Sequence, residues 1–414
     1  MKASDEPATD QPVWAREDAF PHAPSGWGWV DYKGGRHVCE SEEDLIAAID
    51  GDQNATLALV WSPASAHMVL PEELRGATAA VLHSRRALAA LDLADACDKI
   101  RWFSFLATGL AAYLFMRAWP MAPTAEWVAR LEFSIRALFT SMSLGVALLM
   151  WLVFAFIPWY QARKRVKEFD HWTGGDVAAA VPVLRFETWL EMQKAPATRF
   201  LMGLITLVGI AQLLPGNSIM AAGLLKDPAR HEWWRLLTAP LMHGNLIHFM
   251  MNGAALLYLG RRLEVLAGWP HLILVFLFSA WLGGECSLRF VGLPSVGASG
   301  GLMGWLGFLM IFESLHGRLV PIKARRRLLA GIFLTGLIGV LGFRFIDNAA
   351  HLGGLLAGLV YALIVFPKSA SAARPHPTWS DRIAGLLAAI VLVFAALIAL
   401  WKIFGHSLFV NLKS

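Results

Sequence analysis

From residue 102 onward, long apolar runs alternate with short basic clusters. A run of about 20 apolar residues is long enough to cross the hydrocarbon core as a helix. Runs of that kind fall at about 102–121 and 137–159, then at 200–222, 242–260, 267–288, 298–316, 328–345 and 348–366, and finally at 383–404. The pattern predicts nine spans grouped as two, six and one. It divides the chain into a two-span hairpin (101–160), a polar and basic cytoplasmic linker (161–198), a six-helix block (199–367), a Pro- and Ser-containing linker (368–382) and a last span with a short tail (383–414).

Residues 1–100 follow a different rule. The first residues are rich in proline and charge and read as disordered. Thr56–Trp61 has the composition of a short buried strand. Glu42–Ile49 and Arg85–Lys99 repeat apolar residues at helical spacing. These signals fit a small soluble α/β domain. The opening residues lack the basic stretch and apolar core of a signal peptide, so the first span is expected to act as the targeting signal.

Composition agrees with the spans. Of 414 residues, 56% are hydrophobic and 16% charged, against about a quarter charged in soluble domains. The formal net charge of +5 fits basic loops on the cytoplasmic side of a membrane, and no nucleic-acid-binding motif is present. Arg163–Lys167, Arg261–Arg262 and Arg318–Arg327 alternate with less basic loops at 223–240, 289–297 and 344–347. That asymmetry places the N-terminal region and the three basic clusters in the cytoplasm and the other loops outside. High Ala, Trp and Arg usage, without organellar targeting features, fits a bacterial inner (cytoplasmic) membrane. Cys39, Cys97 and Cys286 are far apart and form no disulfide framework or metal knuckle.

Polar groups inside spans are expensive and mark functional positions. Ser299 lies in Gly297–Gly300 (Gly-Ala-Ser-Gly) at the head of a helix. Unpaired amides and the positive dipole end suit a nucleophile whose attack creates an oxyanion. The same glycine–serine pattern also serves close helix contacts. His351 lies in Asn348–Gly358, with Gly354 and Gly358 on roughly its own face. Gly300, Gly304 and Gly307 offer a matching small face on the serine helix. Packing the two would bring the serine within reach of a histidine base, although such a histidine can equally bond a backbone carbonyl. His248 and Asn252 share a helix face four residues apart, and both can donate to an oxyanion. With His243 they could also suggest a metal, but no third protein ligand of matched spacing is evident.

In this order and spacing the motifs resemble those of the rhomboid family of intramembrane proteases, over about residues 198–366. Trp234-Arg235 is similar to that family's loop pair. His243, His248 and Asn252 match its HxxxxHxxxN pattern, Gly297–Gly300 its GxSG, and Ala350-His351 with Gly354 and Gly358 its AHxxGxxxG. Tyr258–Gly260 followed by Glu264 resembles the end of its second helix. The resemblance implies an all-α polytopic membrane protein with a six-helix core. The two N-terminal spans, the C-terminal span and the soluble domain are then additions.

The resemblance further implies a serine endopeptidase that uses no cofactor or metal. Ser299 would be the nucleophile and His351 the base. His248, Asn252 and the Ser299 amide would form the oxyanion hole. Gly297 and Gly300 would shape the serine loop and its helix contact. Gly354 and Gly358 would pack the two catalytic helices, and His243, Trp234 and Arg235 would support the loops. The expected partners are the lipid bilayer and single-pass transmembrane substrates, cut near the outer face. Asp347, one turn before His351, could orient it or simply cap the helix. Glu285 and Glu313 read as polar packing or interface groups. The position four after the serine is often aromatic in the family and here is Met303, so tuning rather than loss of activity is expected. Both Ser299 and His351 are kept, unlike in inactive relatives. A non-catalytic scaffold or chaperone for transmembrane segments is the alternative, and a transporter a weaker one.

Overall fold

The fold was obtained as a computed structural model, which describes residues 11–227, 232–343 and 346–411. The first ten residues, where disorder was expected, lie outside the described residues. The helices in chain order are α1 (Glu42–Asp50), α2 (Thr78–Ala118), α3 (Trp127–Thr140), α4 (Met142–Trp151), α5 (Ile157–Asp170), α6 (Gly174–Met192), α7 (Pro196–Ala211), α8 (Ser218–Ala222), α9 (Arg235–Thr238), α10 (Leu246–Ala267), α11 (Trp269–Phe290), α12 (Ser299–Leu315), α13 (Ile322–Leu341), α14 (Asn348–Val365) and α15 (Trp379–Asn411). Three strands precede α2: β1 (Trp27–Asp31), β2 (Arg36–Cys39) and β3 (Leu57–Trp61).

The chain divides into two compact units. One holds residues 17–185 and 340–345, and the other holds 1–16, 186–339 and 346–414. In the first unit the strands form an antiparallel sheet in the order β2-β1-β3. Every residue of β3 is buried, as its unbroken Leu-Ala-Leu-Val-Trp run requires. Ser41 and Asp44 form a reciprocal capping box that starts α1, satisfying two otherwise orphaned amides. Leu45 and Ile49 of α1 then pack on Leu57, Val60, Val81 and Val177. The expected helix at 85–99 and the first expected span form one 41-residue helix, α2.

The second apolar run also differs in detail from its expected bounds. Its helix begins at Met142, where the Ser141 hydroxyl accepts from the Leu144 amide, and runs through a π-type turn at Leu152–Phe156 to Asp170. Helix α3 precedes it. Helices also fill 157–192, a stretch whose charges and internal Pro182 gave no helical signal.

In the second unit α11, α12 and α14 pack closely together, with α7, α10 and α15 around them. Four helices among the described residues are long and apolar enough to cross a membrane: Met142–Asp170, Trp269–Phe290, Asn348–Val365 and Trp379–Leu408. The α6–α7 pair, bent by 61°, would be a fifth if taken as one span. Helices α2, α10, α12 and α13 occupy the other expected segments but are more polar or shorter. Buried charges are paired. Glu264 at the end of α10 accepts from the Ala197 and Thr198 amides that open α7, at 3.0 and 2.8 Å. Fully buried Arg262 forks onto Glu313 at 2.6 and 3.1 Å. Leaving either partner alone in an apolar interior would be strongly destabilising.

Candidate active site

Helix α12 begins at Ser299, and Ala298 at its N-cap offers no side-chain acceptor to the first-turn amides. Helix α14 carries His351 in its first turn. The seam between them is set by backbone contact. A Cβ placed on Gly354 would lie 2.0 Å from the Gly300 carbonyl oxygen, and one on Gly358 would lie 1.8 Å from that of Gly304. No side chain fits there, so the two helices touch along their main chains. Gly307 completes the row, its hypothetical Cβ falling 2.3 Å from the Leu355 oxygen. Ala350, the residue before His351, shares the wall of one crevice with Ser299. Among the described residues, neither the Ser299 hydroxyl nor the His351 ring makes a side-chain hydrogen bond. The seam brings their helices together without closing a serine–histidine bond.

Gly297 has φ +129°, a conformation costly for residues with a Cβ, and its amide donates to the Ala239 carbonyl at 3.0 Å. A Cβ on Gly297 would stand 2.6 Å from His248 Cε1, 2.8 Å from His248 Nε2 and 3.4 Å from Asn252 Nδ2. The two side chains therefore converge on the main chain two residues before Ser299. They arrive there because the Asn245 side chain caps α10, accepting from the His248 amide at 2.9 Å, and because four residues of helix separate His248 from Asn252. Asn252 Nδ2 is buried without a hydrogen-bond partner. An unpaired buried donor costs about 1–3 kcal/mol, and here it lies beside the Gly297 main chain.

His243 sits behind this pair. Its ring meets that of His248 edge-on at 5.2 Å and that of Phe249 at 5.4 Å. Gln212 grips its main chain, donating to the His243 carbonyl and accepting from its amide, both at 2.9 Å. Sequence reasoning passed over Gln212; a lone glutamine at the end of an apolar helix was the available signal.

Trp234 and Arg235 organise the preceding loop. Buried Arg235 donates to the Gly223 carbonyl at 2.7 Å and to that of Met220 at 3.1 Å, and it pairs with Glu232 at 2.8 Å. Its guanidinium also lies 4.5 Å from the Trp234 ring centre. From α15, Lys402 places its ammonium 5.1 Å from the same ring. Helix α15 packs on α7, α8, α9 and α11.

A shallow crevice beside Ser299 is lined by Ser287, Ser295, Gly297, Gly300 and Asp347 among others. Its polar corner was not foreseen apart from Asp347. Asp347 does not spend its carboxylate on the His351 ring: Oδ1 accepts from the Ala350 amide at 2.9 Å, and Oδ2 accepts from Ser287 and Ser295.

Hydrogen-bonding groups gathered within a sheaf of apolar helices define a multi-pass membrane protein with an internal polar site. Known proteins narrow that class. A rhomboid domain model matches residues 230–368. The rhomboid protease GlpG of Yersinia pestis (strain Pestoides F) is 30% identical over 216 residues, covering 50% of this chain and 73% of that protein. The rhomboid protease GluP of Bacillus subtilis is 35% identical over 150 residues, covering 35% of this chain and 27% of that protein. The RHOMBOID-like protein 6, mitochondrial, of Arabidopsis thaliana is 36% identical over 143 residues, covering 34% of this chain and 46% of that protein. The chain belongs to the rhomboid family. It spans less than half the length of the Bacillus and Arabidopsis relatives, and α15 lies beyond the matched domain.

Proposed function

We propose that this chain is an intramembrane serine endopeptidase that cleaves transmembrane segments of single-pass membrane proteins near the outer membrane face. Ser299 Oγ attacks the substrate carbonyl, and His351 takes the proton and delivers it to the leaving amine. Water then attacks the acyl-enzyme, and Ser299 leaves with the proton returned. His248, Asn252 and the Ser299 amide hold the oxyanion. The convergence of His248 and the unpaired Asn252 donor on Gly297 carries this reading, because that arrangement is under-satisfied at rest and becomes satisfied when charge develops on the substrate oxygen.

The topology that goes with it has nine spans, with residues 1–100 and 161–198 in the cytoplasm and residues 199–367 as the catalytic core. The core sits in the cytoplasmic membrane of a bacterium. The amino ends of α12 and α14 then face outward, where water can reach them. A substrate helix hides its peptide bonds in its own hydrogen bonds, so it must unwind locally before Ser299 can attack. The test is cleavage of a reconstituted model transmembrane substrate by wild type, Ser299→Ala and His351→Ala. Wild type is expected to cut and both variants to be silent; equal cleavage by all three would overturn the proposal and favour a non-catalytic binder of transmembrane segments.

A further inference from the structure

The polar corner of the crevice joins four separate pieces of the chain. Asp347 Oδ2 accepts from Ser295 Oγ at 2.5 Å and from Ser287 Oγ, while Oδ1 holds the Ala350 amide at 2.9 Å. Ser287, fully buried on α11, also receives the Lys226 ammonium at 2.5 Å. Leu224, two residues before that lysine, exchanges two backbone hydrogen bonds with Ser295, at 2.9 and 3.0 Å. Ser295 is four residues upstream of Ser299, and Ala350 immediately precedes His351. One carboxylate thus grips the segment leading to the serine and the first turn of the histidine helix.

We propose that Asp347 is a positioning residue of the proteolytic reaction, fixing the Ser299 loop against the His351 helix through Ser295 and the Ala350 amide, with Lys226 as its compensating charge. The proposal rests on the Ser299–His351 reading above. The glycine seam sets how closely α12 and α14 approach. Backbone bonds tie the segment before Ser299 to Leu224 and Ala239, and the Asp347–Ser295 bond ties it to the His351 helix as well. Attack geometry is sensitive at this scale, since misplacement by about 1 Å can cost on the order of 100-fold in rate. A charged acceptor suits the task because its hydrogen bonds are roughly twice as strong as neutral ones. A half-buried carboxylate needs a cation nearby, and Lys226 reaches it through Ser287.

The experiment uses the full chain in lipid vesicles and measures kcat, KM and the rate at which a fluorophosphonate labels Ser299. Asp347→Asn keeps the volume and the helix cap, because its amide oxygen still accepts from Ala350, but it loses the charge and its second acceptor. It is expected to lower kcat by about 10- to 100-fold with KM within twofold, and to slow labelling in step. Ser295→Ala is expected to do the same to a smaller extent without touching the cap. Adding Lys226→Met to Asp347→Asn is expected to recover several-fold, because it removes the ammonium left without a counter-charge. Wild-type kcat in both Asp347→Asn and Ser295→Ala, or losses confined to KM, would overturn the proposal. If Asp347→Asn fails to fold, Ser295→Ala alone decides. The two levels separate cleanly: activity in Ser299→Ala defeats the protease reading, whereas a silent Ser299→Ala beside fully active Asp347→Asn and Ser295→Ala defeats only the positioning role.

Discussion

Two helix pairs in this chain are held together in opposite ways. Helices α12 and α14 meet main chain to main chain, with glycines so close that no Cβ fits between them. Helix α2 and the Met142–Asp170 helix meet through side chains. Trp151 donates to Ser104 at 2.8 Å, Arg165 pairs with Asp92 at 2.6 Å, and Arg86 reaches the Phe169 carbonyl at 3.0 Å. Only 6% of the apolar window of Met142–Asp170 is buried, and a Cβ on Gly109 of α2 would meet nothing within 4 Å. The first pair has one allowed separation, whereas the second can adjust by rotamer changes. In a bilayer, where lipid is as apolar as leucine, close small-residue packing is what gives a helix pair a unique geometry. The contrast marks where this chain needs such a geometry.

The largest effect should come from forcing a side chain into the seam. Gly358→Ala is expected to abolish cleavage while the chain still inserts, as read by substrate cleavage and protease protection. The control that would break the comparison is Gly109→Ala, expected to leave cleavage and thermal stability at wild-type values. Next come His248 and Asn252, the proposed oxyanion donors. Asn252→Ala should cost about 100-fold in kcat, the size of losing one preorganised donor, with KM little changed in steady-state kinetics.

A smaller effect follows from charge. Burial pushes Lys226 down to about 8, with Asp347 partly opposing, so the ammonium is present below that pH and lost above it. Above pH 8 kcat should fall about two- to fivefold, the size of a partly screened ion pair. Lys226→Met should lack that limb when kcat is followed from pH 6 to 9.5. The smallest effect belongs to half-buried Met303. Met303→Phe should change kcat by less than about twofold in either direction, since the weaker thioether–ring contacts are worth about 0.3 kcal/mol.

The seam and the shared face of His248 and Asn252 were legible because each is written in local spacing. Glycines three or four residues apart imply a face, and a histidine and an asparagine four apart imply another. Gln212, Ser287 and Lys226 were not legible, because their meaning lies in contacts between distant segments and each alone is an ordinary polar residue at a span end. Asp347 was legible as a residue that could orient His351 or cap its helix, and the structure gives it the cap, through the Ala350 amide; its two serine partners lie on distant segments and were not legible. The β1–β2 hairpin was missed because its strands are short and β2 is largely exposed, which leaves no apolar alternation to read. Helix α6 was hidden by its opening glycines and Pro182.

The contact of Lys402 with Trp234 has a consequence for how the protein is made. Helix α15 follows every other core element along the chain, yet it packs on the short helices around Arg235. A nascent chain that has not yet emerged through residue 402 therefore lacks one wall of that loop. That wall is added only after the other core helices have been made.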